Sequence, residues 1–438
     1  MLHGISCPRK EGDLLISGFR PIHSGEASMS WHEGEKPTVV GGIISAALAL
    51  WVFFGIGSFS MNFSTLRSGT GLPLAADFAN YWAASKLALS GHAALVYNIN
   101  ELHEVEQQFF GTHHYYGCGW YYPPFALFWA LPLGLLPYLA SLLVWTVAFL
   151  VIYAIVFRGV SHHPISLILF LCFPGTLMNI LFGQNGFITG ILLGGGLLLL
   201  DNSPILAGGL FGLLCYKPPF AALVLLALIV GRYWETLFTT LITVLLLSIA
   251  SIIVFGYQVW PAFFRVQATP MKLLEVGAAR WDIMPTVFAA LLSAGCPVKA
   301  AYLGQGVVML AVAVAVAWVW RQPLSMAVRG AVLVLGTLLF TPYAFVYDLS
   351  LLALPLGWLW EEGRRRGRLP GELLLLWFGW VMPCAALILW NNLNIIHGKL
   401  QLGPLVLLAL FWFSLIRVKM ALRPAESPNH PPSALLFG

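Results

Sequence analysis

Charge is the scarcest property of this sequence: Asp, Glu, Lys and Arg together make up 9% of its 438 residues, while 59% are hydrophobic. Soluble domains carry roughly a quarter charged residues, so a mean hydropathy of +0.82 excludes a soluble enzyme and requires a chain that crosses a membrane repeatedly. Cysteine is sparse too. The six present (Cys7, Cys118, Cys172, Cys215, Cys296, Cys384) are scattered without a CxxC pair, which argues against thiol redox chemistry and a zinc site. There is no GxxxxGK phosphate loop and no GxGxxG after a strand, so no nucleotide-handling domain is encoded. No internal repeat of the kind that marks many secondary transporters is visible. The net charge of +5 is not a nucleic-acid footprint, because the cations sit in short loops between apolar runs, where they report topology.

Those loops divide by side. Residues 1–37 are polar and hold Arg9, Lys10, Arg20 and Lys36, as a cytoplasmic tail would. Residues 39–60 are the first run long enough to span, an uncleaved signal anchor that delivers Asn62 onward to the far side. The apolar block 121–157 is broken by Pro123, Pro124, Pro132 and Pro137. Of two assignments, a helical hairpin or an interfacial segment over 121–136 followed by one span over 138–157, the second puts Arg158 inside. Further spans are expected at 164–182, 186–200, 204–216, 219–231, 235–256, 299–320, 325–341, 344–360, 371–390 and 400–417. The fold class is therefore an all-α polytopic membrane protein of about twelve transmembrane helices, with a membrane domain over 38–418 and a cytoplasmic tail over 419–438. Fifteen of the 23 Lys and Arg fall inside, and the run 361–368 is the strongest marker. Two large outer regions remain, 61–137 and 257–298.

The outer face collects the residues capable of chemistry. Asp77 opens a helix over 72–98, with Tyr81 and Trp82 one turn on. A catalytic carboxylate and a helix-capping Asp are both open readings there. Tyr121-Tyr122-Pro123-Pro124 reads as a site loop or as an aromatic belt with a helix breaker. Gly183-Gln184-Asn185-Gly186 offers two amides to a polyol, or is a plain tight turn. Lys217 meets a phosphate, or snorkels to water. Tyr347 and Asp348 start another helix, and His397 lies in the last outer loop.

Taken in order, Asp77-Phe78-x-x-Tyr81-Trp82, Gly91, Tyr97-Asn98, Tyr122-Pro123-Pro124, Leu135-Leu136-Pro137, Gly183-Gln184-Asn185, Ala207-Gly208, Lys217-Pro218, Thr341-Pro342-Tyr343 and Tyr347-Asp348 resemble the polytopic mannosyltransferases of glycosyltransferase family 87. The resemblance implies a GT-C fold with interfacial helices in the first outer loop. It further implies a polyprenyl-phosphate sugar donor, typically mannose, and inversion at the anomeric carbon. Asp77 takes the position of the catalytic base and Lys217 that of the cation on the donor phosphate, with Arg265 and Arg280 as further phosphate candidates. Tyr81, Trp82, Tyr122, Gln184, Asn185, Tyr347, Asp348 and His397 are the expected substrate-binding residues. Asp77 stands alone after Ala75 and Ala76, unlike GT-C relatives with paired acids, so no metal is expected, nor any cofactor besides the donor substrate. The expected partners are the bilayer, the lipid-linked donor and a glycolipid or glycan acceptor, at the periplasmic face of a bacterial inner membrane. A lipid-linked saccharide flippase is the rival reading. It would concentrate polar groups near the bilayer midplane, whereas here the acids sit in loops or at helix ends.

The sidedness is testable by thiol labelling in intact cells. An impermeant reagent should label Thr65→Cys and spare Arg365→Cys; the reverse pattern would invert the orientation.

Overall fold

The computed structural model describes residues 61–62, 67–68, 74–111, 119–278, 280–392 and 401–422. The first expected span and most of both expected tails lie outside these residues. Among them the fold is helical, apart from a two-residue antiparallel ladder between Met61–Asn62 and Arg67–Ser68.

Helices α1 (Ala76–Leu89) and α2 (Ile99–Phe110) pack together around a 3-10 turn, Ala93–Tyr97. Pro123 and Pro124 then open a broken stretch: a 3-10 turn at Pro124–Ala126, the single helical turn α3 (Leu127–Ala130) and a second 3-10 turn at Leu131–Leu135. Each proline ring removes a donor and clashes with the preceding turn, so this stretch cannot become one long helix. Ser85 ties it to α1, donating from Oγ to the Leu131 carbonyl at 2.9 Å and accepting from the Gly134 N–H at 2.8 Å. Pro137 then caps α4 (Tyr138–Val160), as the second assignment for 121–157 expects.

The remaining helices are α5 (Pro164–Leu171), α6 (Pro174–Phe182), α7 (Gly186–Leu199), α8 (Pro204–Leu214), α9 (Pro218–Val230), α10 (Trp234–Phe255), α11 (Val259–Val266), α12 (Thr269–Glu275), α13 (Val287–Ser293), α14 (Val298–Val319), α15 (Met326–Phe340), α16 (Ala353–Arg366), α17 (Glu372–Asn392) and α18 (Gly403–Ala421). Among the described residues α4, α10, α14 and α18 are long and apolar enough to cross a membrane. Helices α5 and α6 make a fifth span if their 41° bend is counted as one broken helix.

Four of the helices at the expected spans are shorter than a bilayer is thick. Helices α7, α8, α9 and α15 have 14, 11, 13 and 15 residues, about 17 to 23 Å against a hydrocarbon core of ~30 Å. Helices α7 and α15 are also enclosed, with α15 buried at eleven of its fifteen residues. Eleven of the fourteen residues of α7 are buried, whereas only 17% of the apolar stretches of α4 and α10 are. A helix surrounded by protein need not match the lipid thickness, and backbone at its ends is satisfied by protein groups. The expected span 344–360 is corrected. It opens as a 3-10 turn, Val346–Leu352, and α16 begins only at Ala353 and ends on Arg364, Arg365 and Arg366.

Polar groups gather at the two ends of this bundle. At one end Ser161 donates to Glu361 at 2.6 Å, Arg329 donates to the Tyr233 hydroxyl at 2.7 Å, and Tyr233 donates to Asp201 at 2.9 Å. Arg417 on α18 pairs with Glu372 on α17, both almost fully buried. Following α7 from Asp201, α9 from Arg232 and α15 from Arg329 leads to the opposite end, where Asn185, Lys217 and Thr341 lie. The sequence places these two groups on opposite sides, and the fold does the same.

Breaking a buried ion pair by removing one partner costs about 3–5 kcal/mol, more than replacing both with apolar groups. Arg417→Met should therefore lower the detergent melting temperature strongly, and adding Glu372→Leu should recover much of the loss. Additive losses in the double variant would show that the two charges are uncoupled.

Candidate functional site

Asp77 is the second residue of α1, and its surroundings are unusual from the backbone outward. The residue ahead of the helix, Ala75, is left-handed at φ 51° and ψ 60°, a conformation that costs a non-glycine residue roughly 1 kcal/mol or more. Tyr138 holds it, donating its hydroxyl to the Leu74 carbonyl at 2.5 Å and to the Ala75 carbonyl at 3.3 Å. Ala75 is also the N-cap, and no side chain caps the helix. The capping reading of Asp77 is thereby corrected: its half-buried carboxylate is hydrogen-bonded to the Gln184 side chain, more than a hundred residues away. Burial pushes the Asp77 carboxyl up to about 6, and the bond to Gln184 holds it from rising further.

Gln184 sits in the turn between α6 and α7, which is tight because of what lies on either side. Gly183 has φ +64°, and a Cβ there would fall 2.6 Å from the Cβ of Phe78 on α1. At Gly186 a Cβ would fall 2.8 Å from the Tyr347 carbonyl. The Gln184 carbonyl oxygen accepts from the Tyr81 hydroxyl and from the Asn185 N–H. Its amide hydrogens are left for the Asp77 carboxylate. Tyr81 is one helical turn beyond Asp77 and so shares its face. The Tyr122 hydroxyl lies 3.2 Å from that of Tyr81 and accepts from the Asn185 amide at 2.8 Å.

Lys217, between α8 and α9, is 8% exposed. It does not snorkel to water; its ammonium donates to Asp348 at 2.7 Å. The other Asp348 oxygen accepts the Phe345 N–H at 3.0 Å, so this acid both caps its turn and pairs the lysine. Tyr347 carries its ring 5.6 Å from the ammonium, and its electrostatic influence reaches Tyr81. A small apolar hollow of about 20 Å³ is lined by Tyr81, Tyr122, Trp129, Trp145, Asn185 and Tyr216. The buried Asn185 side-chain oxygen has no partner.

Three expected site residues fall elsewhere. Trp82 lies about 100° around α1 from Tyr81; it packs on Phe109 and Tyr138 and donates to the Leu136 carbonyl at 3.2 Å. Arg265 on α11 and Arg280 ahead of the Trp281–Ile283 turn are exposed, outside the buried cluster. His397 is outside the described residues.

A scan for known families, set against this geometry, matches the model of glycosyltransferase family 87 over residues 120–342, half of the chain. The chain belongs to glycosyltransferase family 87. No curated protein and no solved structure gives a match. The family 87 stretch takes in Tyr122, Gln184, Asn185 and Lys217, while Asp77, Tyr81, Tyr347 and Asp348 lie on either side of it and join the same cluster through the fold. This membership makes the protein a glycosyltransferase, and its apolar helices make it a multi-pass membrane one.

The family 87 enzyme has one acid that sequence reasoning missed. Glu106 follows Leu102 and precedes Phe110 at four-residue spacing, the buried stripe of α2. A lone acid on that stripe was the available signal. Its side chain is fully enclosed, with His103 at 4.0 Å. Burial pushes its carboxyl up to about 8, opposed by a hydrogen bond with Asn80 and reinforced by the charge of Asp77.

Such an acid is protonated in the folded protein and ionised in the unfolded chain between its ordinary value of 4.5 and about 8. Folding then binds a proton, so stability is highest below that window and falls as pH rises through it. The melting temperature should drop from pH 5 to pH 8 in the parent enzyme and drop less in Glu106→Gln. Parallel slopes would place Glu106 in contact with water.

Proposed function

We propose that this enzyme transfers a hexose, mannose by its resemblance, from a polyprenyl-phosphate donor to an acceptor hydroxyl, with inversion. The observation that carries the reading is the convergence at one end of the bundle of a half-buried carboxylate, Asp77, and a nearly buried ammonium, Lys217. Attack of the acceptor oxygen on C1 requires loss of its proton, which Asp77 accepts. The bond from C1 to the phosphate oxygen breaks with its electron pair leaving on the phosphate, which gains a negative charge. Lys217 stabilises that charge in a poorly solvated site, where a fixed cation is worth more than in water. The aromatic hollow beside them, about 20 Å³, has room for a water-sized group such as one hydroxyl, which the free Asn185 oxygen could accept from. By the charge distribution of the loops, this end faces the periplasm and the arginine-rich end faces the cytoplasm. The acceptor is a glycolipid or glycan reached at the membrane surface.

A carboxyl near 6 is ionised at neutral pH, and it takes up a proton as pH falls below that value. Turnover should therefore lose its base on the acid side, with kcat falling below about pH 6. Asp77→Asn keeps size and hydrogen-bonding reach but not basicity, and should lower kcat by roughly 10² to 10⁴ with little change in donor KM. Lys217→Ala should weaken the donor by roughly ten- to a hundredfold, as expected for one charge-assisted hydrogen bond. Membrane glycolipids lacking one hexose in a null strain would name the acceptor. A folded Asp77→Asn enzyme with parental kcat would sink the reading.

A further inference from the structure

The nearly buried pair of Lys217 and Asp348 holds more than a salt bridge. Lys217, with 8% of its surface exposed, has little water around its ammonium and takes its partners from protein. The rings of Phe220, Tyr347 and Tyr216 lie 5.2, 5.6 and 5.9 Å from its ammonium. The direct hydrogen-bonding partner of the ammonium is Asp348, 2% exposed and 2.7 Å away. The carboxylate cannot swing aside, because its second oxygen is held by the Phe345 N–H.

We propose that Asp348 is a positioning residue of the donor site: it keeps the Lys217 ammonium charged and fixed so that the remaining N–H groups meet the donor phosphate. The inference rests on the reading of Lys217 as the phosphate cation. One of the three ammonium hydrogens is spent on Asp348, which leaves two for a phosphate arriving from the side away from the carboxylate. The phenols Tyr347 on the same turn, Tyr216 at the end of α8 and Tyr122 ahead of α3 are titratable groups beside the pair; burial holds Tyr216 and Tyr122 above the ordinary phenol range, near 10.

The test is donor binding in the Asp77→Asn background, which removes turnover and the titration of Asp77. The probe is a short-chain polyprenyl-phosphate hexose, whose phosphodiester keeps one charge throughout the range. Binding to the parent should be nearly the same at pH 6 and pH 8.5. Adding Asp348→Asn should weaken it about tenfold or more at pH 8.5, with most of the loss recovered at pH 6 as the amine takes up a proton. Asp348→Glu should restore binding at the higher pH. Lys217→Met should be about tenfold weaker at both values, and Asp348→Asn on top of it should add little. Equal losses at both pH values in Asp348→Asn, or no loss, would overturn the inference while leaving Lys217 on the phosphate. Unchanged binding in Lys217→Met would remove the donor-phosphate reading and this inference together.

Discussion

The site end of the molecule depends on the close approach of one turn to two neighbours. Residues 183–186 are wedged between α1 on one side and the Val346–Leu352 turn on the other, with no room for a side chain at either glycine. That approach lets the Gln184 side chain reach both Tyr81 and Asp77, and lets Trp145 on α4 donate to the Gly183 carbonyl at 3.1 Å. It also sets the Asn185 carbonyl to receive the Tyr216 hydroxyl at 3.2 Å, next to Lys217. Four separate parts of the chain are registered against each other by one turn. Because protein interiors are close-packed, a single methyl group here is not absorbed locally. A side chain at Gly183 would push α1, and the carboxylate it carries, away from Gln184.

Burial of the short helices follows from the same arrangement. A polar cluster in a membrane protein needs backbone ends and turns at a depth where lipid could not satisfy them, and those ends survive only if protein encloses them. Helices α7 and α15 are accordingly short and interior, and the longest apolar helices, α4, α10 and α14, present most of their surface outward. The glycines of α7 serve that enclosure, since Gly194 and Gly195 lie against Leu354 and Leu210 of neighbouring elements. Small residues where helices meet are how apolar helices pack closely when lipid is as apolar as they are.

Much of the site was legible because polar residues are so rare in this chain. In an apolar sequence an acid, an amide or a lysine at a helix boundary stands out, and Asp77, Gln184, Asn185, Lys217 and Asp348 were each visible in that way. Their mutual contacts were not, because hydrogen bonds between residues 81 and 184, or 217 and 348, depend on packing that no local pattern encodes. Trp82 was misplaced since adjacency in sequence is a turn of about 100° on a helix, and Arg265 and Arg280 since charge alone does not reveal exposure. Glu106 escaped notice because an acid in a polar-looking helix resembles a solvated one until its stripe is traced.

Two opposite charges at this end are held out of water by different means, and the difference matches what each has to do. Lys217 is paired with a carboxylate at 2.7 Å. Among the described residues no cation pairs with Asp77, which is held by a neutral amide, and burial raises its carboxyl into the range where it can both lose and accept a proton. If Asp77 is the base proposed above, pairing it with a lysine would leave it too weak to take a proton from an alcohol; instead it is bonded into the network of Gln184, Tyr81 and Tyr122.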